Sequence, residues 1–92
     1  MAPLRFSLGR TVATPSALKA LANNHQTEIP FLRRHQNGDW GDVGEHDRAA
    51  NDRAITEQER ILSAYPLPDG TRIWVITEAY RSSTCILLPE EY

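Results

Sequence analysis

The C-terminal third of the chain has the clearest pattern of hydrophobic and polar positions. Two runs of strand-forming residues, 60–67 and 71–77, flank a Pro-Asp-Gly sequence at 68–70, where glycine accepts the positive φ that tight hairpin turns need. A second turn at 78–82 leads to a third apolar run, residues 83–88. These segments predict a three-stranded antiparallel β-meander.

The first sixty residues indicate a strand followed by helices. Residues 6–12 alternate apolar and polar side chains, which is typical of a half-buried strand, and we expect this strand to join the sheet. Thr14-Pro15 is a helix start signal, and an apolar stripe follows as far as Asn23-Asn24. Two further helices are predicted at 28–36 and from near residue 44 to 57 or 58. The expected fold is therefore α+β: an N-terminal strand, two or three short helices, then the three-stranded antiparallel β-meander, in one domain spanning 1–92.

The middle strand of the meander is apolar on both faces. Ile73 and Val75 point to one side of the sheet, whereas Trp74 and Ile76 point to the other. Helices packed on one side only would leave Trp74 exposed. Either the N-terminal strand and loops cover the second face, or a partner does.

Composition sets broad limits on function. The chain has 92 residues, of which 40% are hydrophobic and 24% charged, as in ordinary globular domains. The net charge of −2 predicts no strong attraction to nucleic acid or to an anionic membrane. The charge is uneven: residues 1–38 carry five basic side chains against one acid, and residues 39–92 carry five against eleven. The two halves either neutralise each other within the fold or leave a basic face for an acidic or phosphate-bearing partner.

The cysteine, histidine and apolar content of the sequence also bears on the cellular compartment and on metal binding. There is one cysteine, no membrane-length apolar run and no secretory start, so we expect a cytoplasmic protein without disulfides. His25, His35 and His46 do not have zinc-site spacing, and Cys85 lies in an apolar strand where burial makes a thiol inert. The sequence therefore predicts no metal site, no cofactor and no catalytic residue.

The segment 35–41 has two interpretations. It holds Asp39 and Trp40 between two glycines, and tryptophan is strongly enriched at binding hot spots, so Trp40 is a candidate interface anchor. Alternatively, the segment ends a helix, its tryptophan fills the core and its aspartate caps the next helix.

The turn between the last two strands has two interpretations as well. Glu78 and Arg81 suit a base and a phosphate-stabilising cation in a metal-independent ribonuclease, and the order of helices and strands resembles that of barnase- and RelE-like nucleases. These strands contain no histidine to serve as general acid, so His35 would have to approach in space. The alternative is an ordinary turn with a Glu–Arg pair, in which Tyr80 and Arg81 are available to a partner.

Several blocks together resemble a family of small proteins from bacterial plasmids and integrated mobile elements. The blocks are Leu8-Gly9-Arg10-Thr11-Val12-Ala13-Thr14-Pro15, Arg34-His35, Gly38-Asp39-Trp40-Gly41, Leu62-Ser63-Ala64-Tyr65, Trp74-Val75-Ile76-Thr77-Glu78-Ala79 and Leu87-Leu88-Pro89-Glu90-Glu91-Tyr92. Members are often labelled plasmid-related protein or type I restriction endonuclease subunit M. A methyltransferase subunit needs an adenosylmethionine-binding domain that 92 residues cannot house, so the second label does not describe an activity of this chain. Where the family usually has an acid, this chain has Tyr80.

The functional expectation combines the residues with this resemblance. It is a non-enzymatic protein-binding accessory of a mobile element, and its sharpest form is an inhibitor of a host defence complex of the restriction or CRISPR type. The expected partner is a protein complex encoded by the host or by the element. The candidate contacts are Trp40, Asp39, Tyr80, Arg81, Glu78 and Trp74. The alternatives are the small ribonuclease or toxin, and a homodimeric regulatory protein that seals its own sheet face.

Overall fold

The computed structural model describes residues 4–92 and confirms an α+β fold. Its elements are, in order, β1 (Arg10–Ala13), α1 (Pro15–Asn23), α2 (Glu28–Gln36), α3 (Glu45–Glu57), β2 (Ile61–Pro66), β3 (Arg72–Thr77), β4 (Ser83–Leu87) and a 3₁₀ turn (Pro89–Glu91). The predicted helices and the antiparallel meander β2–β3–β4 are confirmed.

The four strands form one mixed sheet in the order β1-β4-β3-β2. The first strand does join the sheet, parallel to β4, so β1 and β2 are the two edge strands. It is shorter than predicted, because the alternating segment 6–12 becomes a strand only at Arg10. Gly9 has φ +65°, and a side chain there would overlap the backbone carbonyls of Arg81 and Ser82. This left-handed residue ends the strand on its N-terminal side.

The core lies between the sheet and helices α1 and α2. Strand alternation directs one set of side chains toward these helices, and we call this side the inner face. Its buried apolar residues are Ala17, Leu21, Phe31, Leu32, Tyr65, Leu67, Ile73, Val75 and Ile86. A second cluster joins Trp40, Ala54 and Ile61 under α3. Burial of these side chains is the main stabilisation of such short helices, which are marginal on their own.

The edge strand β2 is closed by side-chain and loop contacts. The side-chain amide of Asn51, on α3, donates to the carbonyl of Leu62 at 2.7 Å and accepts from its N–H at 3.1 Å. Two residues further along, Ala64 exchanges backbone bonds with Trp40 and Asp42 at 3.1 and 2.7 Å. Asn51 therefore substitutes for a neighbouring strand, and β2 is not available for pairing with another chain.

Replacing Asn51 with alanine is expected to lower the free energy of unfolding by about 2 kcal/mol, because both backbone groups of Leu62 lose their partner in a largely buried site. Urea denaturation followed by tryptophan fluorescence measures this loss. Asn51→Asp keeps the acceptor but sets a carboxylate oxygen against the Leu62 carbonyl in a nearly buried site, so it is also expected to lower the midpoint. An unchanged midpoint for Asn51→Ala would contradict the role of this amide.

Residues 4–92 cover the outer face of the sheet only in part. Trp74 is half-buried there, and its ring meets Tyr92, which follows the 3₁₀ turn. Ile76 and Leu87 on the same face are 4% and 8% exposed. The sequence left open whether the protein's own segments or a partner cover this face. In the structure the C-terminal residues cover part of it and leave Trp74 partly accessible.

Candidate functional site

Three side chains on the outer face form what we call the outer aromatic cluster: Trp74, Tyr92 and Arg60. The ring centroids of Trp74 and Tyr92 lie 5.6 Å apart with the planes at 61°, an edge-to-face contact. The guanidinium carbon of Arg60 lies 5.2 Å from the centroid of the Tyr92 ring, within cation–π distance. Tyr92 is 61% exposed. The cluster therefore combines two aromatic rings and a cation at the surface.

The position of Tyr92 is set by the polar contacts of Glu91. One carboxylate oxygen of Glu91 accepts from the backbone N–H of Leu88 at 2.8 Å and from the hydroxyl of Thr14 at 2.7 Å. These hydrogen bonds, that of Leu88 first, hold the pKa of Glu91 below its usual value. The bonds attach the C-terminal turn to the start of α1, and this places the next residue, Tyr92, over Trp74.

Trp40 lies in the core rather than at the surface. Its side chain is 1% exposed, and its indole N–H donates to a carboxylate oxygen of Asp52 at 3.0 Å. In this fold it is not accessible as an interface anchor, and the core-filling interpretation describes its position. Asp39 is exposed and pairs with Arg34 at 2.7 Å, which lowers the pKa of Asp39. It does not cap α3, whose N-cap is Gly44.

The turn between β3 and β4 is fastened to the end of α3 by Arg81. Its guanidinium donates to four backbone carbonyls, those of Ala54, Glu59, Glu78 and Ala79, at 2.7 to 3.2 Å. Arg81 has φ +60°, in the left-handed region. The expected pair of Glu78 and Arg81 side chains is not formed, because the arginine bonds the backbone carbonyl of Glu78 instead.

Tyr80 and Glu78 both lie on the solvent side of this turn. Tyr80 is 85% exposed, more than any other large hydrophobic or aromatic side chain of the described residues, and Glu78 is exposed as well. Of the three residues that the sequence singled out in the turn, these two are accessible to a partner, whereas Arg81 is occupied by the fold.

A buried chain of polar side chains, not predicted from the sequence, crosses the inner face of the sheet. His35 on α2 contacts the hydroxyl of Ser63 through Nδ1 at 2.6 Å and the hydroxyl of Thr77 through Nε2 at 2.9 Å. Thr77 contacts Thr84 at 2.7 Å, and Thr84 donates to the carbonyl of Leu8 at 2.7 Å. All four side chains are 0% exposed.

The donor and acceptor roles along this row of hydrogen bonds show which ring nitrogen of His35 carries the proton. Because Thr84 gives its hydroxyl proton to Leu8, Thr77 must donate to Thr84 and therefore accepts from Nε2–H of His35. Nδ1 is then free to accept from Ser63, and the imidazole is neutral. Burial, with a smaller contribution from the Arg81 charge, lowers the pKa of His35 to about 3.

The groups required by the ribonuclease hypothesis are not assembled into a site. His35 is enclosed and both its ring nitrogens are bonded, while the guanidinium of Arg81 is taken up by carbonyls. Neither group can reach a phosphate in this geometry. Burial raises the pKa of the Cys85 thiol, which disfavours the nucleophilic thiolate. Across residues 4–92, no three His, Cys, Asp or Glu side chains are grouped to hold a metal ion.

Comparison with known proteins adds no relative. The chain matches no protein-family model, no curated protein and no solved structure. In the described part of the chain, no helix has both the length and the apolar character required to cross a membrane.

Proposed function

We propose that this protein is a non-enzymatic protein-binding accessory that contacts its partner through the outer aromatic cluster. The observation that supports it is a sheet face on which, within residues 4–92, Tyr92 is 61% exposed and Trp74 beside it is only half-buried. Tryptophan, tyrosine and arginine are the residue types most enriched among binding hot spots, and the cluster contains one of each.

The chemistry of the cluster defines the complementary surface. Trp74 and Tyr92 contribute apolar area with few rotatable bonds, so they lose little entropy when a partner covers them. Arg60 adds a planar cation that binds carboxylates in a bidentate manner. The partner surface in this proposal is apolar at its centre, where it receives the rings, and carries an acidic group beside them.

The partner in this proposal is a protein complex encoded by the host or by the element, and the resemblance to plasmid and mobile-element proteins sharpens it to a host defence complex. In this form, the protein inhibits restriction or CRISPR-type interference. Transformation of unmodified plasmid into a host with an active defence system, with and without the protein, measures that inhibition. Equal transformation efficiency in both strains would remove the anti-defence form while leaving the binding proposal standing.

Photo-crosslinking at Tyr92 tests the binding proposal. With the photoreactive amino acid p-benzoylphenylalanine in place of Tyr92, we expect one stoichiometric crosslinked protein in host cells. The same replacement at Tyr80 is the matched control, because both tyrosines are exposed but Tyr80 lies in the turn beyond β3. Crosslinking at Tyr80 and not at Tyr92 would move the surface to that turn. Crosslinking at neither position would contradict the proposal.

The captured partner then permits an affinity measurement. Tyr92→Ala combined with Arg60→Ala is expected to weaken Kd by at least about tenfold, the effect of losing one hot-spot contact of more than 1.4 kcal/mol. Tyr80→Ala should leave Kd unchanged. Thermal denaturation of each variant shows whether the fold is intact.

A further inference from the structure

Among the described residues nothing pairs with the outer edge of β1, unlike that of β2. Arg10 and Thr14 donate their backbone N–H groups toward the β4 side of the sheet, at 3.1 and 3.0 Å. Because successive residues of a strand alternate, the N–H and C=O groups of Thr11 and Ala13 point away from β4. Within residues 4–92 the amides of Thr11 and Ala13 have no backbone partner. This edge can accept another strand.

An apolar groove of about 290 Å³ runs alongside this edge, between β1 and helices α1 and α2. Of its eight lining residues only Glu28 is charged. Leu18 and Ile29 in the groove are 41% and 52% exposed, and Val12 on the strand is 43% exposed. An open strand edge beside an apolar groove is the arrangement used for strand addition between chains.

We propose that β1 pairs antiparallel with β1 of a second copy of this chain, which joins two four-stranded sheets into one of eight strands. Centring the pair on Val12 places Thr11 of each copy opposite Ala13 of the other, so that all four outward-pointing residues exchange backbone bonds. The same two-fold relation brings the groove of one copy, with Leu18 and Ile29, against that of the other.

Charge complementarity supports a second copy as the occupant. In this register Arg10 lies directly opposite Thr14 of the other copy, and the side chains of both residues are on the outer face, since both are an even number of residues from Val12. The Thr14 hydroxyl already holds the Glu91 carboxylate at 2.7 Å. Each copy thus sets an arginine beside the other copy's acid, twice per dimer. The two Val12 side chains meet at the centre and lose their exposure.

The interface is independent of the outer aromatic cluster, so this inference does not rest on the proposed function. It differs from the dimer that the sequence left as an alternative, in which the exposed sheet face is sealed. Here the edges join, and both outer clusters remain accessible on one continuous sheet. The strand has only four residues, so the interface is small and we expect a weak dimer.

Sedimentation equilibrium over roughly 10 µM to 1 mM protein tests the proposal. We expect the mass to rise from 10.4 kDa toward twice that value. Val12→Lys puts two like charges directly opposite each other, and Arg10→Glu puts an acid beside Glu91 of the other copy, so both variants are expected to stay monomeric. Leu4→Lys, at a residue 62% exposed and outside the groove, should dimerise like the original chain.

Hydrogen exchange supplies the residue-level readout. The amides of Thr11 and Ala13 should gain protection as concentration rises, whereas those of Arg10 and Val12 should be protected throughout. A monomer at every concentration overturns the proposal, and so does a dimer that survives Val12→Lys and leaves Thr11 unprotected. A monomeric chain whose Thr11 becomes protected only when the crosslinked partner is added would assign the edge to that protein instead.

Discussion

Acidification from pH 8 to pH 5 should lower the free energy of unfolding by about 2 kcal/mol through His35 alone. The pKa of His35 is about 3 in the fold and 6.5 when the chain is unfolded. Below pH 6.5 the unfolded chain therefore binds one more proton than the native chain. Stability falls by about 1.4 kcal/mol per pH unit until the native imidazole itself titrates near pH 3.

The physical reason lies in the direction of the hydrogen bonds. In the neutral imidazole Nδ1 accepts from Ser63 and Nε2–H donates to Thr77. A second proton would turn Nδ1 from an acceptor into a donor, so the hydroxyl proton of Ser63 would lose its acceptor in a site with no solvent exposure. The positive charge would also be enclosed near Arg81, whose charge opposes it.

Urea titrations at a series of pH values, followed by tryptophan fluorescence, measure this slope. His35→Gln keeps one amide acceptor and one donor and cannot titrate. The dependence of its free energy of unfolding on pH between 6.5 and 5 should therefore lack the contribution of this one proton. His46→Gln, at an exposed position, is the matched control and should keep the slope. Asp39, Asp69 and Glu91 have pKa values lowered in the fold, so the stability they contribute is lost only below about pH 4.5. An identical slope in His35→Gln would show that this histidine is not buried neutral.

Gly41→Ala should cost about 3 to 5 kcal/mol. Gly41 has φ +74°, a conformation that favours glycine, and it forms a backbone bridge to Ala64 at the edge of β2. A methyl group there would overlap the carbonyl oxygen of Ala64 and lie 2.6 Å from the Tyr65 ring. Relief would require the loop to move away from β2, and the bonds that close this edge would break.

Gly44→Ala is the matched control for this substitution. Gly44 has φ −74°, which alanine adopts freely, and a methyl group there would have no heavy atom within 4 Å. Because Gly44 is the N-cap of α3, where alanine is less favourable than glycine, the free energy of unfolding should fall by no more than about 1 kcal/mol. A loss of less than about 1 kcal/mol for Gly41→Ala would mean that the loop is not fixed against β2.

The local patterns predicted the elements well. The turn at 68–70, the strand-forming runs of the last three strands and the helix start at Thr14 each depend on residues close in sequence, and each element forms where the pattern placed it. The strand at 6–12 was predicted too long, because Gly9 sits under the Arg81 carbonyl. That contact joins residues far apart in sequence, and no local pattern reports it.

For the candidate site too, the local sequence pattern identified one residue, and contacts between distant residues determined the others. The sequence singled out Trp74 from the two-sided apolar strand, and the structure places it half-buried on the outer face. It did not indicate Tyr92 or Arg60 as neighbours of Trp74, since their contacts depend on the C-terminal turn being tied to Thr14. The sequence was also compatible with Trp40 either at the surface or in the core. In the structure Trp40 packs under α3 and lies in the core.

The sequence by itself determined the fold class, the meander and the apolar character of both faces of β3, because backbone preference and side-chain period are properties of neighbouring residues. Only the tertiary structure decided which polar groups are enclosed. His35, Ser63, Thr77 and Thr84 look like ordinary polar positions along the chain, and they become one buried hydrogen-bonded row when α2 crosses three strands. The openness of β1 is decided in the same way, because an edge is defined by which strand fails to find a neighbour.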